Sequence, residues 1–437
     1  MNREILRIAL PNIISNITVP IMGIASTAIA GRCGDDSAYT IGQLAIGVSI
    51  FNMIYWNCNF IRMGTSGLTA QAFGAGDFAE TTRMLIRSIG VSLILGLVIL
   101  LFKSPLAYGS VELIGGGDLA LEYVKARLWA VPAGILLFGF HGWFTGMQNG
   151  TYSMFTALTV NILHIALSLY LALARGMGVV GIAYASVVAQ WVGVLIASAL
   201  LYLNFRGRLV RVSISEVLSP KMIRKFFSIN SDIIIRTICI VSVYTFFTRA
   251  SARMENEALL AINTMLLQLF TLYSYMTDGF AYAAEALTGR FIGARDGNSL
   301  RRAIIGCILW STVVSVVFVG IYLIFWRDIL SIFIGGSSDV EPMLSLAGEY
   351  IWWIITIPIM GAFPFLMDGV MVGANFTKVI RNSMLVSTVI YFSTFLIFEP
   401  IMGNDALWLA FMLFMFLRGG VQYLMTSRLR DIFGAAG

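Results

Sequence analysis

The residues of this chain that can do chemistry lie inside long apolar stretches, where ionisable groups are rare. Asp278 and Glu285 are seven positions apart, two turns along one face of a helix, and Asp368 sits in a later apolar stretch. Carboxylates that share one cavity compete for ionisation, so this set can exchange a proton with its surroundings. Each also has a structural alternative: Glu285 can pair with Arg290, and Asp278 can bond backbone opened at Gly279. Asp232 and Arg236 are four apart and can neutralise one another. Arg418 is the charge deep in the last apolar stretch and needs an acid, with Asp232, Asp278 and Asp368 all open to it. His164 lies one turn from both Asn161 and Ser168 and is the member of that group able to titrate near neutral pH. Lone histidines, His141 included, more often serve packing.

The elements that must position these groups are helices. Of the 437 residues, 58% are hydrophobic and 12% charged, and the mean hydropathy is +0.84. Soluble domains are about a quarter charged, so the chain reads as an all-α membrane protein. Spans of near bilayer length are expected at 5–30, 40–63, 79–107, 118–148, 152–174 and 178–204, then at 221–250, 257–287, 299–326, 342–373, 378–400 and 404–429. Residues 1–205 and 221–437 form two six-helix lobes joined by a connector at 206–220. Arg62 is expected to end the second helix near the interface, where its side chain snorkels. Pro11 and Pro20 permit a bend in the first helix, either static or gating.

The net charge of +6 does not form an aromatic-interleaved basic stripe, so no nucleic-acid partner is expected. Lys and Arg concentrate in alternate loops, at Arg3, Arg83, Arg206, Lys221, Arg301, Lys378, Arg428 and Arg430 among others. The opposite side has fewer, Arg32, Lys103, Arg127 and Arg249 among them. Both termini and the connector are therefore expected in the cytoplasm of a multi-pass inner-membrane protein. The four cysteines are scattered and imply neither disulfide nor metal.

The halves repeat. Thr69-Ala-Gln-Ala-Phe-Gly-Ala-Gly-Asp77 recurs as Thr288-Gly-Arg-Phe-Ile-Gly-Ala-Arg-Asp296, 219 positions on. Leu113-Ile-Gly-Gly recurs as Phe333-Ile-Gly-Gly. Glu122-Tyr123, Gly142 and Gly146 recur as Glu349-Tyr350, Gly369 and Gly373, 227 positions on. Six helices per half keep both halves in the same orientation.

On Asn16-Ile-Thr-Val-Pro20, Arg62-Met-Gly-Thr-Ser-Gly-Leu-Thr-Ala-Gln-Ala-Phe-Gly-Ala75, Asp278-Gly-Phe-Ala-Tyr-Ala-Ala-Glu285, Gly293-Ala-Arg-Asp296, Asp368-Gly369 and Arg381-Asn-Ser-Met384, the chain resembles the multidrug and toxic compound extrusion (MATE) family, DinF-like branch. The resemblance implies two six-helix bundles and antiport of organic, often cationic, compounds against protons or sodium. It also exposes a departure. The family's carboxylate in the first helix falls where this chain has Ser26, and Ser168 stands where a second aspartate is expected. Serine does not titrate near neutral pH, which leaves His164 as a partial replacement.

No Gly-x4-Gly-Lys-Ser/Thr loop, HExxH or GxSxG motif occurs, so an ATP-driven pump and a membrane enzyme are disfavoured. The expectation is a monomeric secondary transporter exporting amphipathic organic, chiefly cationic, compounds against protons, by alternating access and without a cofactor beyond the ion gradient. The alternative is a flippase or exporter of a lipid-linked or anionic metabolite. Ion-coupling candidates are Asp232, Asp278, Glu285, Asp368 and His164. Candidates for the substrate cleft are Ser26, Asn161, Ser168, Arg236, Met367, Met371 and Arg418, the methionines because their surfaces adapt to flat apolar cargo.

Overall fold

The computed structural model describes residues 1–33, 36–254, 256–334 and 340–426, and no strand occurs among them. Among the described residues, twelve helices are long and apolar enough to cross a bilayer. They are α1 (Asn2–Ala30), α2 (Ser37–Gly74), α3 (Phe78–Leu101), α4 (Asp118–Gly146), α5 (Gly150–Ala174) and α6 (Gly178–Phe205). There follow α7 (Pro220–Arg253), α8 (Glu257–Gly293), α9 (Gly297–Ile334), α10 (Val340–Gly373), α11 (Thr377–Met402) and α12 (Asn404–Met425). Polar residues start them: Asp36, Asp77, Asn149 and Asn256 each accept a hydrogen bond from a first-turn amide of α2, α3, α5 and α8.

Several boundaries differ from expectation: α8 runs on to Gly293 and α9 to Ile334, past the expected 287 and 326, and two further differences lie in the first half. The second span does not stop at Arg62: a 3-10 turn at Asn57–Asn59 redirects α2, whose small and apolar residues carry it on to Gly74. Arg62 is therefore buried inside a helix, its Nε donating to Asn59 Oδ1 at 3.1 Å, and not snorkelling from an end. The third span ends at Leu101, and a separate helix, Lys103–Ile114, follows once Phe102 leaves helical geometry. Arg428 and Arg430, like Gly335 and Gly336 of the second repeat anchor, lie outside the described residues.

Two compact units form: Leu10–Asn230, and Met1–Ala9 with the described residues from Ser231 on. For brevity these are the N-unit and the C-unit. In the N-unit the connector is tied to α3, with Arg83 paired to Glu216 at 2.9 Å and Arg87 donating to the carbonyls of Val217 and Glu216 at 2.8 and 3.0 Å.

The repeat recurs inside each unit as the same contacts. In the N-unit α4 lies against α2, where a Cβ at Gly142 would meet the Arg62 carbonyl and one at Gly146 would stand 2.6 Å from Thr69 Cβ. In the C-unit α10 lies against α8 in the same way, Gly369 on the Ala281 carbonyl and Gly373 on that of Glu285. Arg62 and Ala281 are 219 positions apart, as are Ser66 and Glu285, while the glycines keep the 227 spacing. Only glycine lets two membrane helices approach this closely. The helix ends match as well. Gly76 and Arg295 both take left-handed backbone after α2 and α8, φ 72° and 56°, and Gln148 and Asn375 do so after α4 and α10, φ 62° and 59°. Each end closes with the same pair of amide-to-carbonyl bonds, such as Asp77 to Ala72 and Asp296 to Phe291, at 2.9 and 3.0 Å.

Below that shared frame the units diverge. Among the described residues the helix irregularities fall in the N-unit: the turn at Asn57–Asn59, a 3-10 turn at Leu128–Ala130 in α4, and a π-helical turn at Leu169–Ala174 closing α5.

Candidate functional site

Among the described residues of the C-unit, two ion-pair groups are built on a buried aspartate. Asp368 on α10 is 5% exposed and receives three donors. Arg236 of α7 reaches its Oδ2 at 2.9 Å, Arg418 of α12 reaches the same oxygen at 3.0 Å, and Gln422 bonds Oδ1 at 2.6 Å. The Nε atoms of both arginines are buried without a hydrogen-bond partner, and the Arg418 guanidinium lies 4.6 Å from the Phe365 ring centroid. Of the three acids open to Arg418, Asp368 is the one it takes.

The second group overturns the expected Asp232–Arg236 pair. Asp232 instead accepts from Arg381 at 2.8 Å and from Thr377 Oγ1 at 2.8 Å, both on α11. Spacing of four puts the two residues on one stripe of α7, yet α10 and α11 offer each a better-aimed partner, and buried charges go to the partner that completes their hydrogen bonds. The alternative Glu285–Arg290 pair is likewise replaced, because Arg290 binds Glu4 at 3.0 Å.

Glu285 is buried at 1% exposure beneath Gly373, and Asp278 is half-buried. The Tyr244 hydroxyl lies in the electrostatic reach of Asp278, Arg236 and Arg418, which places Asp278 in the neighbourhood of the Asp368 triad. Met367 and Met371 are buried in this unit.

The N-unit has a different chemistry. His164 on α5, 3% exposed, places Nε2 at 3.0 Å from Ser26 Oγ of α1 and Nδ1 at 2.8 Å from Ser186 Oγ of α6. Each hydroxyl has a second possible acceptor one turn back, Met22 O at 2.9 Å for Ser26 and Ile182 O at 3.2 Å for Ser186. With both hydroxyls donating to those carbonyls, both ring nitrogens must donate, and the ring is an imidazolium. Turning one hydroxyl to the ring makes it neutral. The two serine contacts fit either protonation state by rotation of a single O–H. Asn161 bonds Thr18 Oγ1 at 2.6 Å rather than the histidine, and Ser168 Oγ is fully buried with no partner. His141 lies within the field of Arg62 and takes no part in this group.

Sequence reasoning missed several members. Ser186, Tyr244, Gln422 and Arg381 become visible only when helices are placed beside one another. The count of loop charges places Arg127 in a loop, whereas it lies inside α4, buried, and acts electrostatically on His164. Its position within an expected span was the available signal.

The MatE family model matches the chain twice, over residues 11–170 and again over 233–395, once in each repeat. The chain belongs to the MATE family of transporters. Within the family its DinF-like character is carried by DNA damage-inducible protein F of Escherichia coli (strain K12), 31% identical over 422 residues, which span 96% of this chain and 90% of that protein. Protein DETOXIFICATION 44, chloroplastic, of Arabidopsis thaliana is 23% identical, covering 95% of this chain and 80% of its own length. The probable multidrug resistance protein NorM of Deinococcus radiodurans is 25% identical, with 85% and 81% covered. Among solved structures, an outward-facing multidrug resistance MATE transporter of the MOP superfamily matches with a TM-score of 0.85 at 19% identity, over 99% of this chain and 96% of that one. A MOP superfamily transporter from Pyrococcus furiosus, described as having a binding pocket of reverse polarity, matches at 0.86 and 19%, with the same coverage. These likenesses establish the fold, so this MATE chain is a multi-pass membrane transporter, and its cargo and coupling must be argued from its own residues.

Proposed function

We propose that this transporter exports amphipathic organic compounds across the inner membrane, with both termini in the cytoplasm, by alternating access in exchange for protons, and that His164 carries the coupling proton. The observation behind this reading is the pair of serine hydroxyls on the imidazole, each with an alternative carbonyl acceptor. A coupling group must exist in two protonation states without unfolding its surroundings, and this one does so by turning an O–H. Asp232 and Asp368 suit that task less well, because protonating either would take the counter-charge from its arginine partners, one of them the buried Arg418. Asp278 is the second candidate, half-buried near Tyr244. A sodium ion is a weaker fit, since Ser26 and Ser168 supply neutral oxygens where a hard cation prefers carboxylates.

One observation favours the alternative that the cargo bears a negative group. Arg236 and Arg418 converge on one Asp368 oxygen and keep their Nε donors unused. A cleft built for a bare organic cation would carry net acidity instead.

The test is transport in proteoliposomes under an imposed proton or sodium gradient, with a fluorescent organic cation and a fluorescent organic anion as separate probes. Export driven by protons, lost in His164→Gln and retained in Asp278→Asn, is the expected result. Loss in Asp278→Asn alone would move coupling to the C-unit. Export of neither probe under either gradient, by well-folded protein, would overturn the reading.

A further inference from the structure

Arg127 stands apart from the other buried arginines. Of these, Arg87 and Arg418 hold a carboxylate and Arg62 donates to Asn59 Oδ1, whereas no described carboxylate lies within 4.0 Å of Arg127. It is 6% exposed, its Nη1 is buried with no hydrogen-bond partner, and no Asp or Glu occurs among the buried residues described in the N-unit. A charge in an apolar interior costs several kcal/mol unless a partner completes it. What Arg127 has is neutral: the Tyr123 hydroxyl accepts from it, and its guanidinium sits 3.9 Å from the Phe51 ring centroid.

Other unsatisfied polar atoms gather in the same region. The fields of Arg127 reach Tyr55 and His164. Tyr55 meets Gln190 over Gly134, where a Cβ would stand 2.5 Å from the tyrosine ring and 3.0 Å from Gln190 Oε1. Gln190 is 8% exposed with Oε1 unpartnered, one turn beyond the Ser186 that binds His164. Ser168, fully buried with Oγ unpartnered, is one turn beyond His164. Each of the three irregular turns of the unit begins within a few residues of a member: Asn57–Asn59 after Tyr55, Leu128–Ala130 after Arg127, Leu169–Ala174 after Ser168. Such turns recur at functional sites because they free backbone groups and re-aim side chains.

We infer that Arg127, with Tyr55, Ser168 and Gln190 around it, forms a binding site for a monovalent anion, either a halide ion or a carboxylate group, inside the N-unit. One negative charge matches the Arg127 guanidinium, the Ser168 hydroxyl can donate to a small anion, and Gln190 Oε1 can accept from a water bound to it. The site is distinct from the His164 coupling assignment and stands if that assignment fails.

Full-length protein in detergent is melted in sodium chloride, bromide, acetate and benzoate, against gluconate at matched ionic strength. The wild type is expected to gain ~3 °C, saturably, at a hundredfold excess of the bound anion over its Kd. Arg127→Gln should melt no lower than wild type in gluconate and show no anion response, since it removes a charge that nothing balances. Ser168→Ala should keep the response and weaken the apparent Kd about fivefold, the loss of one hydrogen bond. A halide response without a carboxylate response assigns the site to a free ion, and a preference for benzoate assigns it to an organic carboxylate. A wild-type melting temperature independent of the anion, or an Arg127→Gln variant that responds as wild type does, would overturn the proposal.

Discussion

The N-unit and the C-unit share a frame and differ in almost everything placed on it. In both, a pair of glycines on one helix lies against backbone carbonyls and a threonine of another, and the helices end in the same left-handed residue. At positions that correspond through the repeat, however, the C-unit has Asp278, Glu285 and Asp368 where the N-unit has Asn59, Ser66 and His141. The C-unit pairs Asp232 and Asp368 with arginines on continuous helices. Among its described residues the N-unit buries no acid, holds Arg127 without a carboxylate and a histidine between serines, and interrupts three of its helices beside them. The frame is a matter of van der Waals approach and is indifferent to charge. What each unit can do is decided by a few polar positions that the frame leaves free.

That comparison breaks first at Asp368. Asp368→Asn leaves two guanidiniums facing a neutral amide and should cost about 3–5 kcal/mol, read as a large fall in the melting temperature of detergent-purified protein or as failure to accumulate. Arg127→Gln in the N-unit, which orphans no carboxylate, should cost far less. Equal losses would show that the two units are charged alike.

The shared frame is tested by Gly142→Ala and Gly369→Ala. In each the new methyl meets a backbone carbonyl that cannot rotate away, so both should destabilise by ~1–3 kcal/mol, and by similar amounts. A large loss in one unit alone would mean that the repeat is kept in sequence but not in packing.

A smaller effect separates Gly76 from Arg295. The arginine occupies left-handed backbone at φ 56° where its counterpart is glycine, so Arg295→Gly should stabilise by about 0.5–1 kcal/mol, measured by thermal melting, while Gly76→Arg should destabilise.

Much of the frame was legible in the sequence, because bilayer length, turn residues and repeat spacing are properties of the chain taken in order. Thr69 and Thr288, or Gly142 and Gly369, could be matched without knowing what touched them. The site was less legible for a specific reason. Spacing along α7 correctly put Asp232 and Arg236 on one face, but the choice of partner belongs to α10 and α11, whose order around α7 no one-dimensional pattern encodes. The same limit hid Ser186 from His164, 22 positions away, and Gln422 from Asp368. Arg127 was misplaced for another reason. It was counted with loop charges to establish sidedness, although it lay inside an expected span where a charge signals a site.

The account rests on His164 changing protonation state during transport, and the chain has only two histidines. A His141→Gln variant leaves a single imidazole, whose nitrogen-15 NMR signals report tautomer and charge directly. The prediction is that the His164 signals move between neutral imidazole and imidazolium over the same pH range in which transport by that variant changes. A ring that keeps one neutral form throughout that range, while transport still responds to pH, would contradict it.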